Sequence, residues 1–134
     1  EKLFINPPEL PNWENSFSQV VIVKATPFKY LSLGQVSVNQ ANELVGENDL
    51  NAQATQAFQN LQTALSSAGA KTSDVVKINI FVKDYNPTKA TIVGDAFRKT
   101  FPHEKLPAST WLGVQGLALE GLLIEVDAIA VIAA

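Results

Sequence analysis

The C-terminal third of the chain constrains the fold most. Residues 106–132 read LPASTWLGVQGLALEGLLIEVDAIAVI, two strand-like segments joined by a Gly-rich connection. Side chains alternate between faces along a strand, so Leu122, Ile124, Val126, Ala128, Ala130 and Ile132 form one unbroken apolar face. Leu123, Glu125, Asp127, Ile129 and Val131 occupy the other. The apolar face demands a cover. The acids demand a reason, because a carboxylate among apolar groups is costly unless it is solvated, hydrogen-bonded or paired. Asp127 is read as facing water at a sheet edge or groove; for Glu125, solvation and a chemical role stand level.

Upstream, residues 1–17 read as a loop-like lead-in, because Asn6-Pro7-Pro8 and Leu10-Pro11 fix turn or extended geometry. Residues 18–25 (SQVVIVKA) and 28–33 (FKYLSL) predict a β-hairpin turning at Thr26-Pro27. Gly34-Gln35 is expected to break its second strand, ahead of a polar loop over 39–49. In residues 51–68, Ala54, Ala57, Phe58, Leu61, Ala64, Leu65 and Ala68 recur at spacings of three and four, a helical stripe. Gly69 stands where a left-handed C-terminal cap belongs. Residues 75–83 (VVKINIFVK) switch to period two, with Val76, Ile78, Ile80 and Val82 expected inward. Asn86-Pro87 then starts a second helix over 88–100, because Asn accepts from free N–H groups and Pro suits the first turn. Val93, Ala96 and Phe97 face inward, and Pro102 stops it.

The order ββαβαββ puts both helices on one sheet face, an α+β architecture. The other face, expected to carry Phe81, Trp111, Leu123, Ile129 and Val131, is left open. Monomers rarely leave such a patch exposed, so self-association is expected.

A chain of 134 residues, 46% hydrophobic and 17% charged, is expected to form a single domain spanning 1–134. Without cysteine there is no thiolate nucleophile or zinc–cysteine site, and the lone His103 cannot build a metal cluster. No metal or cofactor is expected. With a net charge of −3 and ten scattered Lys and Arg residues, nucleic acid is not the expected partner. No apolar run reaches the ~20 residues that span a bilayer, and EKLFINPPELP lacks a signal-peptide pattern. A cytoplasmic protein without membrane association is expected.

Searches for a P-loop, GxGxxG, HExxH or GxSxG return nothing. What remains is a concave site drawn from Ser109, Thr110, Trp111 and Glu125. A carboxylate in partly apolar surroundings has a raised pKa and can act as acid or base, or hold a water. Trp111 can wall a ligand or an interface.

Four segments, LSLGQVSVN (31–39), AFQNLQTALSSAGAKTSDVVKINIFVKDYN (57–86), AFRKTFPHEKLPAST (96–110) and LLIEVDAIAV (122–131), together resemble the reactive intermediate deaminase (Rid) family, also called YjgF or L-PSP. The resemblance implies a chorismate-mutase-like fold, a homotrimer whose sheets form a central barrel, and clefts between subunits that bind a small metabolite. In deaminating members an arginine grips the carboxylate of a 2-imino or 2-enamino acid, and a glutamate places the hydrolytic water, aided by a tyrosine and a serine. The glutamate matches Glu125 and a helix-start asparagine matches Asn86. The arginine position falls on Ser109, the serine position on Leu33, and Phe17 takes the tyrosine's place. A serine hydroxyl cannot supply a guanidinium's bidentate charge. Two functions are therefore expected of the resemblance. One is hydrolysis of a neutral or differently anchored imine or enamine; the other is a ligand-binding or interaction trimer without turnover.

Overall fold

The computed structural model describes residues 1–134. Six strands, β1 (Lys2–Ile5), β2 (Val20–Ala25), β3 (Phe28–Val36), β4 (Val75–Lys83), β5 (Ala108–Val114) and β6 (Ile124–Ala133), form one mixed sheet in the order β1-β2-β3-β6-β4-β5. Two helices, α1 (Leu50–Ser67) and α2 (Pro87–Thr100), cover one face. All pairs are antiparallel except β4 with β5, which the α2 crossover makes parallel. The two C-terminal strands are thus not neighbours, because β4 lies between them.

The predicted alternation in β6 holds. Ile124, Val126, Ala128 and Ala130 are buried under the helices, while Glu125 and Asp127 are half-buried on the uncovered face. Asp49 caps α1 by accepting from the Ala52 N–H at 3.0 Å. At the other end Gly69, at φ +79°, lets the Ala70 and Gly69 N–H groups return to the Leu65 and Ser66 carbonyls at 2.9 and 3.1 Å. Asn86 accepts from the Lys89 N–H at 2.9 Å and so starts α2 as expected. Phe58 of α1 meets Phe97 and Phe101 edge-on, at ring separations of 6.3 and 6.1 Å. That aromatic knot fixes how the helices sit on the sheet, each buried ring contributing on the order of 2 kcal/mol.

Four expectations need correction. The lead-in is not wholly loop: Lys2–Ile5, a lysine followed by three consecutive apolar residues, pairs antiparallel with β2 as an edge strand that stops short of Pro7. Gly34-Gln35 does not break β3, because both pair with β6, opposite Asp127 and Val126. In β4 it is Val75, not Val76, that joins the core; the register slips between Val75 and Lys77, and the extra residue turns Val76 outward. Trp111 and Leu123 do not belong to the open face. Both pack against the core, with Trp111 set edge-on to Phe97 at 5.7 Å.

The remaining open face is apolar over much of its area. Phe4, Val23, Tyr30, Leu112 and Ile129 are exposed on it, and Phe81 and Val131 lie half-buried between them. No helix is long and apolar enough to cross a membrane.

Candidate functional site

At the Glu125 end of the open face lies a groove of about 480 Å³. Four segments build it: Trp13, Ser16 and Phe17 from the turn before β2, Gly34 and Val36 at the end of β3, Ala118, Leu119 and Leu122 from the β5–β6 connection, and Glu125. Each segment is fixed by something local. The Ser16 and Phe17 N–H groups both donate to the Trp13 carbonyl, at 2.7 and 3.0 Å. This tight turn stacks the Trp13 and Phe17 rings, 5.8 Å apart and 16° from parallel.

Behind that turn runs a buried amide chain. Gln35 Nε2 donates to Gln19 Oε1 at 2.8 Å, and Gln19 Nε2 donates to the Pro11 carbonyl at 2.9 Å. Both glutamines are almost fully buried, so neither amide can be lost without leaving its partner unsatisfied. The opposite wall hangs on α1. Gln53, with no exposed surface, donates to the Gly46 and Gly121 carbonyls at 3.0 and 2.9 Å and accepts from the Leu123 N–H at 2.8 Å. Gly121 sits at φ +88°, a backbone state suited to glycine, and this lets its carbonyl turn toward Gln53. Gln53 thereby sets the connection that leads into Glu125.

At Gly34 the floor carries no side chain. A Cβ added there would meet the Asp127 Cβ at 3.7 Å, an ordinary contact, so the fold would accept a side chain. Its absence leaves the groove open down to the sheet backbone. The two acids of β6 then part company. Asp127 accepts from Asn79 Nδ2 at 2.9 Å, whereas Glu125 faces the groove. Burial, and secondarily the neighbouring Asp127 charge, hold the Glu125 carboxyl above its ordinary value.

The structure divides the residues singled out from the sequence. Phe17 and Glu125 share the groove. Leu33 is buried in the core opposite Ala128, so its side chain points away. Asn86 spends its Oδ1 on the α2 cap. Ser109 and Trp111 register with Ile78 and Ile80 on the helix side of edge strand β5. Thr110 registers with Asn79 on the open side, where its Oγ1 accepts from Lys77 Nζ at 2.7 Å. One chain therefore carries two separate groups, Phe17 with Glu125 and the set around β5, with β4 standing between their strands.

Sequence reasoning passed over Trp13, Gln19, Leu119 and Gln53. Trp13 and Phe17 are four apart in a Pro-bounded loop, a spacing that brings two rings together if the segment makes one turn. Gln19 and Gln53 offered no such signal, since a buried glutamine in a sequence looks like a solvated one.

The sequence pattern of the family described as endoribonuclease L-PSP matches residues 9–132. A 2-iminobutanoate/2-iminopropanoate deaminase from Dermatophagoides farinae is 36% identical over 132 residues, covering 98% of this chain and 97% of that protein. A RutC family protein from Haemophilus influenzae is 35% identical over 102 residues, covering 75% of this chain and 77% of its own. Among solved structures, the Rid-family protein YyfA from Yersinia pestis superposes with a TM-score of 0.83 at 28% identity, covering 97% of this chain and 98% of that one. The YjgF gene product of E. coli superposes at 0.78 and 28% identity, covering 96% and 98%.

Proposed function

The chain belongs to the L-PSP family, which includes the Rid, RutC and YjgF proteins, and on that premise we propose that it hydrolyses a small imine or enamine. The reading is carried by one observation: a half-buried carboxylate, Glu125, faces an otherwise uncharged groove large enough for a small metabolite. Two relatives named as 2-iminobutanoate/2-iminopropanoate deaminases support the reaction class.

The chemistry asks little more than such a group. A carboxyl with a raised pKa is matched to proton transfer near neutrality. Glu125 in its acid form gives its proton to the imine nitrogen, which makes the carbon electrophilic. As carboxylate it then takes a proton from the attacking water, forming a carbinolamine. Passing that proton to the nitrogen breaks the C–N bond and releases ammonia, while the carbinolamine hydroxyl gives its own proton back to Glu125 and leaves a carbonyl. Imine and water are consumed, and the carboxyl returns to its starting state.

The site is completed in a homotrimer, with Asn86, Ser109 and Thr110 of one subunit facing Phe17 and Glu125 of the next. The separation of the two groups within one chain supports this, as does the apolar open sheet face. A second reading, a binding trimer without turnover, is favoured by a specific feature: no cation lines the groove, and Ser109 stands where an anchoring arginine would. Ammonia release from freshly generated 2-iminobutyrate, measured for the natural protein and for Ser109→Arg and Glu125→Gln, tests both. Turnover lost in Glu125→Gln supports hydrolysis. No turnover by any form, on this or on uncharged imines, leaves the binding role.

A further inference from the structure

We propose that the groove selects uncharged imines bearing a flat apolar group, rather than 2-imino carboxylates. This rests on the hydrolytic reading above and names its substrate class.

Charge argues first. The groove's one ionisable side chain is Glu125, and no lysine, arginine or histidine lines it. A substrate carboxylate placed there finds no cation among the side chains this chain lends to the groove, and an unpaired carboxylate in partly dehydrated surroundings is costly. Asp127, next along the same strand face, brings like charge to it. An uncharged imine escapes the penalty, and its nitrogen can accept the Glu125 proton.

Shape argues second. Trp13 and Phe17 stand as a stacked pair at the rim, with Phe17 half exposed. Ala118, Leu119 and Leu122 add aliphatic lining to the same groove. Gly34 leaves the floor without a side chain, although the fold has room for one. A groove that combines aromatic rings, aliphatic groups and a bare stretch of strand backbone suits a planar apolar ring. The rest of the lining is Val36 and three uncharged polar side chains: Ser16, and Gln19 and Gln35, whose amides are already bonded to each other.

Two substrates differing only by a carboxylate decide the matter. Benzylamine oxidised in place by a flavin amine oxidase yields benzaldimine; phenylglycine oxidised by an amino-acid oxidase yields 2-imino-2-phenylacetate. The intact protein, in its native assembly, is expected to accelerate ammonia release from the first at least tenfold more than from the second. Trp13→Ala should lose at least tenfold in kcat/KM for benzaldimine. Equal or preferential turnover of the carboxylate overturns the proposal. Calorimetry with benzamide and benzoylformate separates the two layers: benzamide bound and benzoylformate rejected, without turnover of either imine, upholds the selectivity and removes the hydrolytic reading. Binding of benzoylformate at least as tight as benzamide overturns the selectivity whatever the turnover.

Discussion

The Gln53 side chain accepts the Leu123 N–H at 2.8 Å across 70 positions of sequence, while its amide group holds the Gly46 and Gly121 carbonyls. One fully buried residue of α1 thus fixes the loop before the helix and the approach to Glu125. Gln53→Leu fills a similar volume but strands one N–H and two carbonyls. With ~1 kcal/mol or more lost per buried unsatisfied group, the variant should lose about 3 kcal/mol of stability. Urea unfolding should show a lower midpoint at unchanged slope.

Titration of Glu125 should leave its own mark. Its folded pKa lies above the unfolded value of 4.5, so between the two the folded state holds more protons. Stability attributable to this group is full below 4.5, falls as pH rises through the folded pKa, and is absent above it. Glu125→Gln should remove that fall, making the variant relatively more stable than the natural protein at neutral pH. Urea midpoints taken across this range check the sign; a natural protein that gains stability relative to the variant with rising pH contradicts it.

On the hydrolytic reading the same substitution should cost about 10²–10⁴-fold in turnover, the usual scale for a general acid–base group. Asp127→Asn offers a subtler check. Its charge is the second cause of the raised Glu125 pKa, so removing it should move the limb on which the rate falls with rising pH to lower pH. A variant that merely damaged the fold would lower the rate at every pH instead.

Much of this molecule was legible beforehand, and the failures share one cause. The α1 stripe, the Gly69 and Asn86 caps and the two faces of β6 follow from local periodicity and turn chemistry, which a sequence displays directly. The bulge at Val76, the continuity of β3 through Gly34 and the inward turn of Trp111 depend on partner strands. Register and pairing decide these, and they are long-range. The candidate site divides along the same line. Glu125 stood out as an acid in an apolar strand and the Trp13–Phe17 stack follows from a local turn, but the buried Gln19–Gln35 pair emerges only when the start of β2 and the end of β3 come together.

The open sheet face predicts self-association and a means of breaking it. Ile129 is 45% exposed near the middle of that face, flanked by Ser32 on β3 and Lys77 on β4. Contiguous apolar surface of this kind is normally covered in an assembly. Sedimentation should give about three times the 14.5 kDa chain mass. Ile129→Lys adds a charge beside Lys77 on a surface that has no core role, so the chain should still fold but run as a monomer. A natural protein that sediments at the chain mass refutes the trimer.

Gly34 separates stability from binding in one substitution. Its φ does not require glycine and a Cβ there makes only ordinary contacts, so Gly34→Ala should leave the fold intact. Relief of the entropic cost of a strand glycine should raise stability by roughly 0.5–1 kcal/mol. The new methyl group would also stand on the groove floor beside Asp127, one residue pair from Glu125. A ligand lying along that floor must rise or shift to clear it. Benzamide binding should therefore weaken several-fold while the melting temperature holds or climbs. Undiminished binding in a stable Gly34→Ala protein would mean that the ligand does not use this floor, and that the groove's shape is a by-product of strand pairing.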